Sequence, residues 1–213
     1  MKITDACVYP YPRGDSSVRR MALDAKALGF DRLVAADTPS GEFYGIEIVT
    51  GTLIRDTPIR DLINQIKRQR NNAAVVSVQA GDNGYNRSAI SVKGVHILRG
   101  LHSADKNAFD HITGKIAADN RVAIDLDLSP LLFGRGFTRQ RALLRYRDIL
   151  VLERRYEFPL TLSSHARSIL DMRAVREITG LCSLFGMDTP DVERAFSGVD
   201  IITSPPDSAV RVI

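Results

Sequence analysis

Cysteine, histidine and tryptophan are scarce in this chain of 213 residues: two, four and none. Cys7 and Cys182 stand at opposite ends, which excludes a disulfide framework and a cysteine-clustered zinc site. No signal peptide is legible, so both thiols are expected reduced, in a cytoplasmic protein. No uninterrupted apolar run exceeds four residues, so no membrane span is expected. His-x-His and His-Glu-x-x-His are absent, as are a Gly-x-x-x-x-Gly-Lys loop and a Gly-x-Gly-x-x-Gly after the first strand. A two-metal hydrolytic cluster needs several histidines beside its aspartates. Asp5, Asp37, Asp82 and Asp125 fall near strand ends, but His96, His102, His111 and His165 are scattered. No protein-bound metal, and no catalytic triad, is expected. Cys182 lies beside Leu181 and Leu184 and reads as a buried, inert thiol.

Lysine and glutamate are few as well. Of 29 cations 23 are arginine, and of 25 anions 19 are aspartate; the net charge is +4 and the pI about 9.2. Arginine presents a planar fork that matches phosphate. Composition alone leaves two explanations open: an RNA or phosphate partner, or a genome biased towards Arg and Asp.

The order of elements says more. Short β-branched runs at Ile3–Val8, Asp31–Ala35, Gly45–Ile54, Ala73–Val78, Val95–Leu98, Arg121–Asp125, Pro159–Ser163 and Val199–Ile202 read as parallel strands covered on both faces. Helical segments lie between them: Ser16–Leu28 ending at Gly29, one opening at Pro58, then Asn86–Lys93, Ala104–Ala118, Thr138–Tyr156, Ser168–Ile178 and Thr189–Phe196. No linker interrupts them. One domain over residues 1–213 is predicted, an α/β fold of compact TIM-like (β/α) barrel type, with a doubly wound open sheet as the alternative. In either fold the working loops follow the strand ends, the last of them Ser204–Asp207.

Three constellations could carry chemistry. Gly134-Arg135-Gly136, before a helix capped by Thr138, could cradle a phosphate or be a plain turn. Ser163-Ser164-His165 could add to such a site, although Ser164 is more simply a helix N-cap. The third is basic clustering. Seven arginines between Arg135 and Arg155 face only Asp148 and Glu153. On that helix Ala142, Tyr146, Ile149 and Leu150 form a stripe for the barrel, while Arg141, Arg145 and Arg155 share an arc facing outward. Lys67, Arg68 and Arg70 end the helix that opens at Pro58, with Arg55 and Arg60 upstream, and a helix dipole also favours cations at such an end. Arg87 stands near the barrel rim. His111, in the predicted Ala104–Ala118 helix, could be a capped polar contact, a core histidine or an RNA contact. Gly186–Ile213 is acidic by contrast, giving a polarised surface that suits nucleic acid on one side.

Taken in order, Asn86-Arg87, Val95-His96-Ile97-Leu98, Phe109-Asp110-His111, Ala117–Asn120, Val122–Leu126, the Ser129–Arg141 loop, Arg155-Tyr156, Leu162–Ala166 and Asp171-Met172-Arg173 resemble the archaeal ribonuclease P protein component 3 family, which has eukaryotic relatives. The resemblance runs over nearly the whole chain. It implies a barrel distantly related to the polymerase-and-histidinol-phosphatase superfamily but without its metal cluster. It also implies a subunit of the RNA enzyme that removes the 5′ leader of precursor tRNA, with Mg²⁺ held by the RNA subunit and protein component 2 as a neighbour among the other protein subunits. Arg87, His111, Asn120, Arg141, Ser163, Ser164 and Arg173 match family positions. Two positions depart: His165 stands where relatives often have glycine, and Asp125 where they often have glutamate. The Leu131-Leu132-Phe133 loop is expected to face the protein partner. Two other functions remain as alternatives, a metal-dependent phosphoesterase of the related superfamily and a small metabolic barrel enzyme holding a phosphorylated substrate at Gly134–Gly136 and Ser163–His165.

Overall fold

A computed structural model describes residues 1–70 and 72–204, without the Arg70 side chain; most of the Ser204–Asp207 loop lies outside the described residues. Seven parallel strands curl into a nearly closed barrel in the order β1 (Thr4–Val8), β2 (Arg32–Ala36), β4 (Ile46–Ile54), β5 (Val75–Gln79), β6 (Ile97–Arg99), β7 (Ala123–Asp127) and β8 (Leu160–Ser163). Every residue of β1, β2, β7 and β8 is buried, as strands covered by helices outside and side chains inside must be.

The helices follow in turn: α1 (Val18–Leu28), α2 (Ile59–Arg70), α3 (Asn83–Ile90), α4 (His111–Asp119), α5 (Ser129–Leu132), α6 (Phe137–Tyr156), α7 (Val175–Cys182), α8 (Thr189–Phe196) and α9 (Gly198–Thr203). Local chemistry sets their ends. The Ser17 hydroxyl accepts the Arg20 amide to start α1, and Gly29, at φ +94°, ends it. Asp82 caps α3, so that helix begins three residues before the expected Asn86. Asp110 caps α4 through the Thr113 amide, and a 3-10 turn at Lys106–Ala108 replaces the expected start at Ala104. A similar turn at Ile169–Asp171, capped by Ser168, delays α7 to Val175. Gly136 rather than Thr138 is the N-cap of α6.

Two elements differ from expectation. Gly41–Phe43 forms β3, antiparallel to β4, through a turn in which Tyr44 (φ +57°) and Gly45 (φ +81°) both take the left-handed conformation. Val199–Ile202, expected as an eighth parallel strand, is the helix α9. Only Ser197 separates it from α8, and the Ser197 hydroxyl donates back to the Glu193 and Arg194 carbonyls, so the chain has no crossover with which to reach the sheet. Instead α8 and α9 lie across the seam between β8 and β1. Gly198 packs there so closely that a Cβ would stand 1.9 Å from the Leu160 carbonyl oxygen. Asp200 anchors α9 by accepting the Lys2 amide at 3.0 Å and pairing with Arg32 at 2.5 Å. Above α9 the seam closes through the backbone: Tyr9 donates to Ala166 at 2.8 Å and His165 to Cys7 at 3.0 Å.

Among the described residues no helix is long and apolar enough to cross a membrane.

Candidate functional site

The C-terminal mouth of the barrel is filled by charge. Arg99, the last residue of β6, is 2% exposed. Its guanidinium bridges to Asp125 Oδ2 at 3.0 Å and donates to the Ala6 carbonyl at 2.6 Å. Asp125 also accepts the Thr161 hydroxyl at 2.9 Å and the Ser163 hydroxyl at 2.7 Å, and His165 Nε2 lies 3.4 Å away. Burial alone would push the Asp125 carboxyl up; Arg99, His165 and Ser163 outweigh it and hold it at about 2. Asp127, two residues along the same strand and so on the same face, lies 3.8 Å from His165 and 3.9 Å from His102. Burial lowers the His102 pKa, against the pull of Asp127. His165 holds φ +52°, a left-handed conformation that glycine adopts at less cost. That geometry turns its Nδ1 to within 3.3 Å of the Tyr9 hydroxyl.

Beneath this network sits Asp5. One oxygen accepts the Cys7 amide at 3.1 Å and the Ser164 amide at 3.0 Å, and the other has no partner among the described residues. Burial pushes its pKa up to about 6, with Ser164 and Cys7 opposing. A folded value above the unfolded one gives a contribution to stability that is complete below about pH 4 and lost as pH rises through about 6. Two units correspond to roughly 3 kcal/mol. Urea unfolding is therefore expected to show a less stable protein at pH 8 than at pH 5, and Asp5→Asn should flatten that difference. A wild-type curve already flat over this range would mean that Asp5 ionises in place without cost.

No group of three His, Cys, Asp or Glu side chains able to hold an ion occurs among the described residues, and the Arg99 cation occupies the carboxylate a metal would need. Cys7 and Cys182 are both buried free thiols, pushed up to about 11 and about 12 by burial. Ser163 and Ser164 are buried in these networks. Ser164 starts no helix; its hydroxyl accepts the Ala166 amide at 3.1 Å, capping a turn. Gly134 is a packing glycine, whose Cβ would lie 2.2 Å from the Pro130 carbonyl, and Gly136 holds φ +50° in the turn into α6. Arg135 between them is exposed. Of the Leu131–Phe133 segment, Leu131 is buried and only Phe133 is exposed.

On α6 the apolar stripe is buried as expected, with the Tyr146 hydroxyl on the Asp127 carbonyl at 2.5 Å. The outward arc is not uniform. Arg141 donates to the Ser103 and Ala104 carbonyls at 2.9 and 2.7 Å, and Arg145 to Lys106 at 3.0 Å, so both are half-buried ties to the loop after β6. Arg155 is exposed over the Tyr156 ring. Arg87 pairs with Asp110 at 2.5 Å, and Arg173 donates to the Leu170 and Met172 carbonyls. His111 is exposed as the first residue of α4, not midway along a helix begun at Ala104. Lys67 and Arg68 are exposed near the end of α2.

Residues 2–203 match the family described as RNase P subunit p30. The chain belongs to that family. The ribonuclease P protein component 3 of Methanococcoides burtonii is 32% identical over 201 residues, covering 91% of this chain and 83% of its own length. In solved structures, the fold matches a chain of an archaeal ribonuclease P with mature tRNA at a TM-score of 0.78, with 20% identity, 94% of this chain and 89% of that one covered. A prolidase complexed with N-methylphosphonate-L-proline matches at a TM-score of 0.58 and 9% identity, covering 95% of this chain and 74% of that one. These two likenesses speak for the barrel alone.

Within this p30-family barrel, Tyr9, Arg99, His102 and Asp127 went unassigned in the sequence. The Asp125-x-Asp127 spacing and the arginine ending the apolar Ile97-Leu98 run were the available signals, because period-two alternation points both carboxylates into the barrel.

Proposed function

We propose that the chain is protein component 3 of an archaeal ribonuclease P, which removes the 5′ leader of precursor tRNA. The carrying observation is the family match over residues 2–203, reinforced by 32% identity to a component 3 across 91% of the chain. Its part is to bind and stabilise the catalytic RNA. The RNA subunit holds the Mg²⁺, protein component 2 and the other protein subunits are its neighbours, and the assembly works in the cytoplasm. A mouth closed by Arg99 and Asp125 supports a scaffolding role for the protein, since it leaves those groups bound to each other rather than to a substrate. No observation favours a metal-dependent phosphoesterase or a metabolic enzyme.

The test is reconstitution. The purified chain is mixed with precursor tRNA and Mg²⁺, alone and then with the RNA subunit, component 2 and the remaining proteins. Cleavage at the 5′ leader is expected only in the second mixture, and leaving this chain out should reduce it. Dose-dependent cleavage by the chain alone, surviving stringent purification, would overturn the scaffolding role; reconstituted activity indifferent to its omission would overturn the assignment.

A further inference from the structure

Around the sealed mouth runs an open cleft of about 640 Å³, lined by Tyr9, Arg13, Leu53, Arg55, Gln69 and Arg167 among others. A second hollow of about 270 Å³ shares Tyr9, Arg55 and Arg167 with it and adds Ser129, Phe133, His165 and Asp171, whose carboxylate is engaged by the Arg167 and Ser168 amides at 3.0 Å. The larger cleft has three arginines and no carboxylate in its lining. Arg13 is paired with Asp37. Arg55 and Arg167 have no acidic side-chain partner among the described residues: Arg55 reaches the Tyr9 hydroxyl at 3.4 Å, and Arg167 lies over the Tyr9 ring at 5.4 Å. Two exposed cations around one aromatic ring repel each other unless an anion lies between them.

The mount is rigid. Arg167 follows the β8–β1 seam, and its carbonyl accepts the Asp15 amide at 2.8 Å. Gly14 approaches so closely that a Cβ would stand 2.1 Å from both the Tyr9 and Arg167 carbonyl oxygens, so only glycine fits there. Opposite, Gln65 and Gln69 on α2 are four residues apart, so their amides share one helix face. A guanidinium fork matches phosphate oxygens in two places, the amides suit ribose or base edges, and the exposed face of Phe133 can take a base.

We propose that this cleft binds single-stranded RNA, with a backbone phosphate held between Arg55 and Arg167 and the neighbouring nucleotide directed towards Phe133. The inference rests on the reading of the chain as an RNA partner and names where one strand sits.

Fluorescence anisotropy of a labelled single-stranded RNA oligomer with the full chain tests it, beside the Arg55→Ala/Arg167→Ala variant. Unlabelled competitors are the same RNA, 5′-AMP and inorganic phosphate. Both arginines are exposed, so the variant is expected to keep its circular dichroism and melting curve. It should bind the oligomer at least roughly tenfold more weakly, with a log–log salt slope lower by about 0.7 for the one phosphate released. Phosphate should compete weakly and the oligomer strongly. If folded variant and wild type bind alike, or the wild type does not bind at all, the proposal fails, even where the wild type supports reconstituted cleavage. If 5′-AMP competes as well as the oligomer, the ligand is a free nucleotide and the RNA assignment falls. Binding that depends on the two arginines upholds the cleft even if reconstitution fails, so the two readings fall separately. Should Arg55→Ala/Arg167→Ala not fold, Arg55→Lys/Arg167→Lys keeps both charges, removes the fork and is expected to weaken binding in the same direction.

Discussion

Replacing Arg99 with leucine is expected to destabilise the fold by about 3–5 kcal/mol at pH 7. The charge it neutralises has nowhere else to go: Asp125 is 2% exposed and would keep only the Ser163 and Thr161 hydroxyls and His165. Asp125→Asn should be costly for the mirror reason, leaving a guanidinium in the barrel with the Ala6 carbonyl as its main partner. The double variant should be less damaged than the two single costs added, because a buried pair replaced as a pair often comes out near neutral. Acidity separates this from a simple packing defect. In the wild type the Asp125 pKa is depressed to about 2. Its contribution is therefore present above the unfolded value near pH 4 and is lost as pH falls through about 2. Without Arg99, burial is opposed only by His165 and the hydroxyls, and the carboxyl pKa rises, so the penalty in Arg99→Leu should shrink between pH 7 and pH 5. Urea unfolding of the four proteins at both pH values measures this. A variant as stable as wild type, or a penalty that ignores pH, would show that the pair does not hold the mouth together.

The barrel was legible because its strands are apolar on both faces and its helices are punctuated by strong stops, such as Ser17 and Gly29 around α1 or Pro190 in α8. What misled is equally physical. Val199, Ile201 and Ile202 look like a strand by composition, yet the tight link from α8 and the Asp200–Arg32 pair make them a helix that plugs the seam. The site was less legible. Ser163 and Ser164 were singled out as phosphate candidates; in the structure their hydroxyls serve Asp125 and the turn at Ala166. Arg55 and Arg167 stand 112 positions apart in the chain, and Tyr9 lies in a third loop. Only closing the barrel across β8 and β1 brings them together. Helical periodicity assigned Arg141, Arg145 and Arg155 to one arc, which is sound for angles around an axis. It carries no information on the loop after β6, whose carbonyls meet the first two.

That difference gives the second large effect. Arg135→Ala/Arg139→Ala/Arg155→Ala removes three exposed cations, none with an acidic partner among the described residues, and is expected to leave the melting temperature within a degree or two of wild type. If this face meets RNA phosphates, each phosphate left without its arginine lowers the log–log salt slope by about 0.7 to 0.9, so the triple variant should lose roughly 2 to 3 in slope and much of its RNA affinity at moderate salt. Arg141→Ala/Arg145→Ala should do the reverse. It breaks the hydrogen bonds to Ser103, Ala104 and Lys106 that fix the loop after β6. At about 0.5–1.5 kcal/mol per bond, roughly 2–6 kcal/mol of stability goes with the four of them. That loop also carries the Asn107 and Ala108 carbonyls that accept from Asn83 and the buried Asn86, so its loosening spreads to the start of α3. Thermal melts and RNA binding across a KCl series, run on both variants, separate the roles. A stable Arg141→Ala/Arg145→Ala protein with a reduced salt slope would restore the single outward arc, because it would mean that these guanidiniums leave their carbonyls for phosphate when RNA arrives.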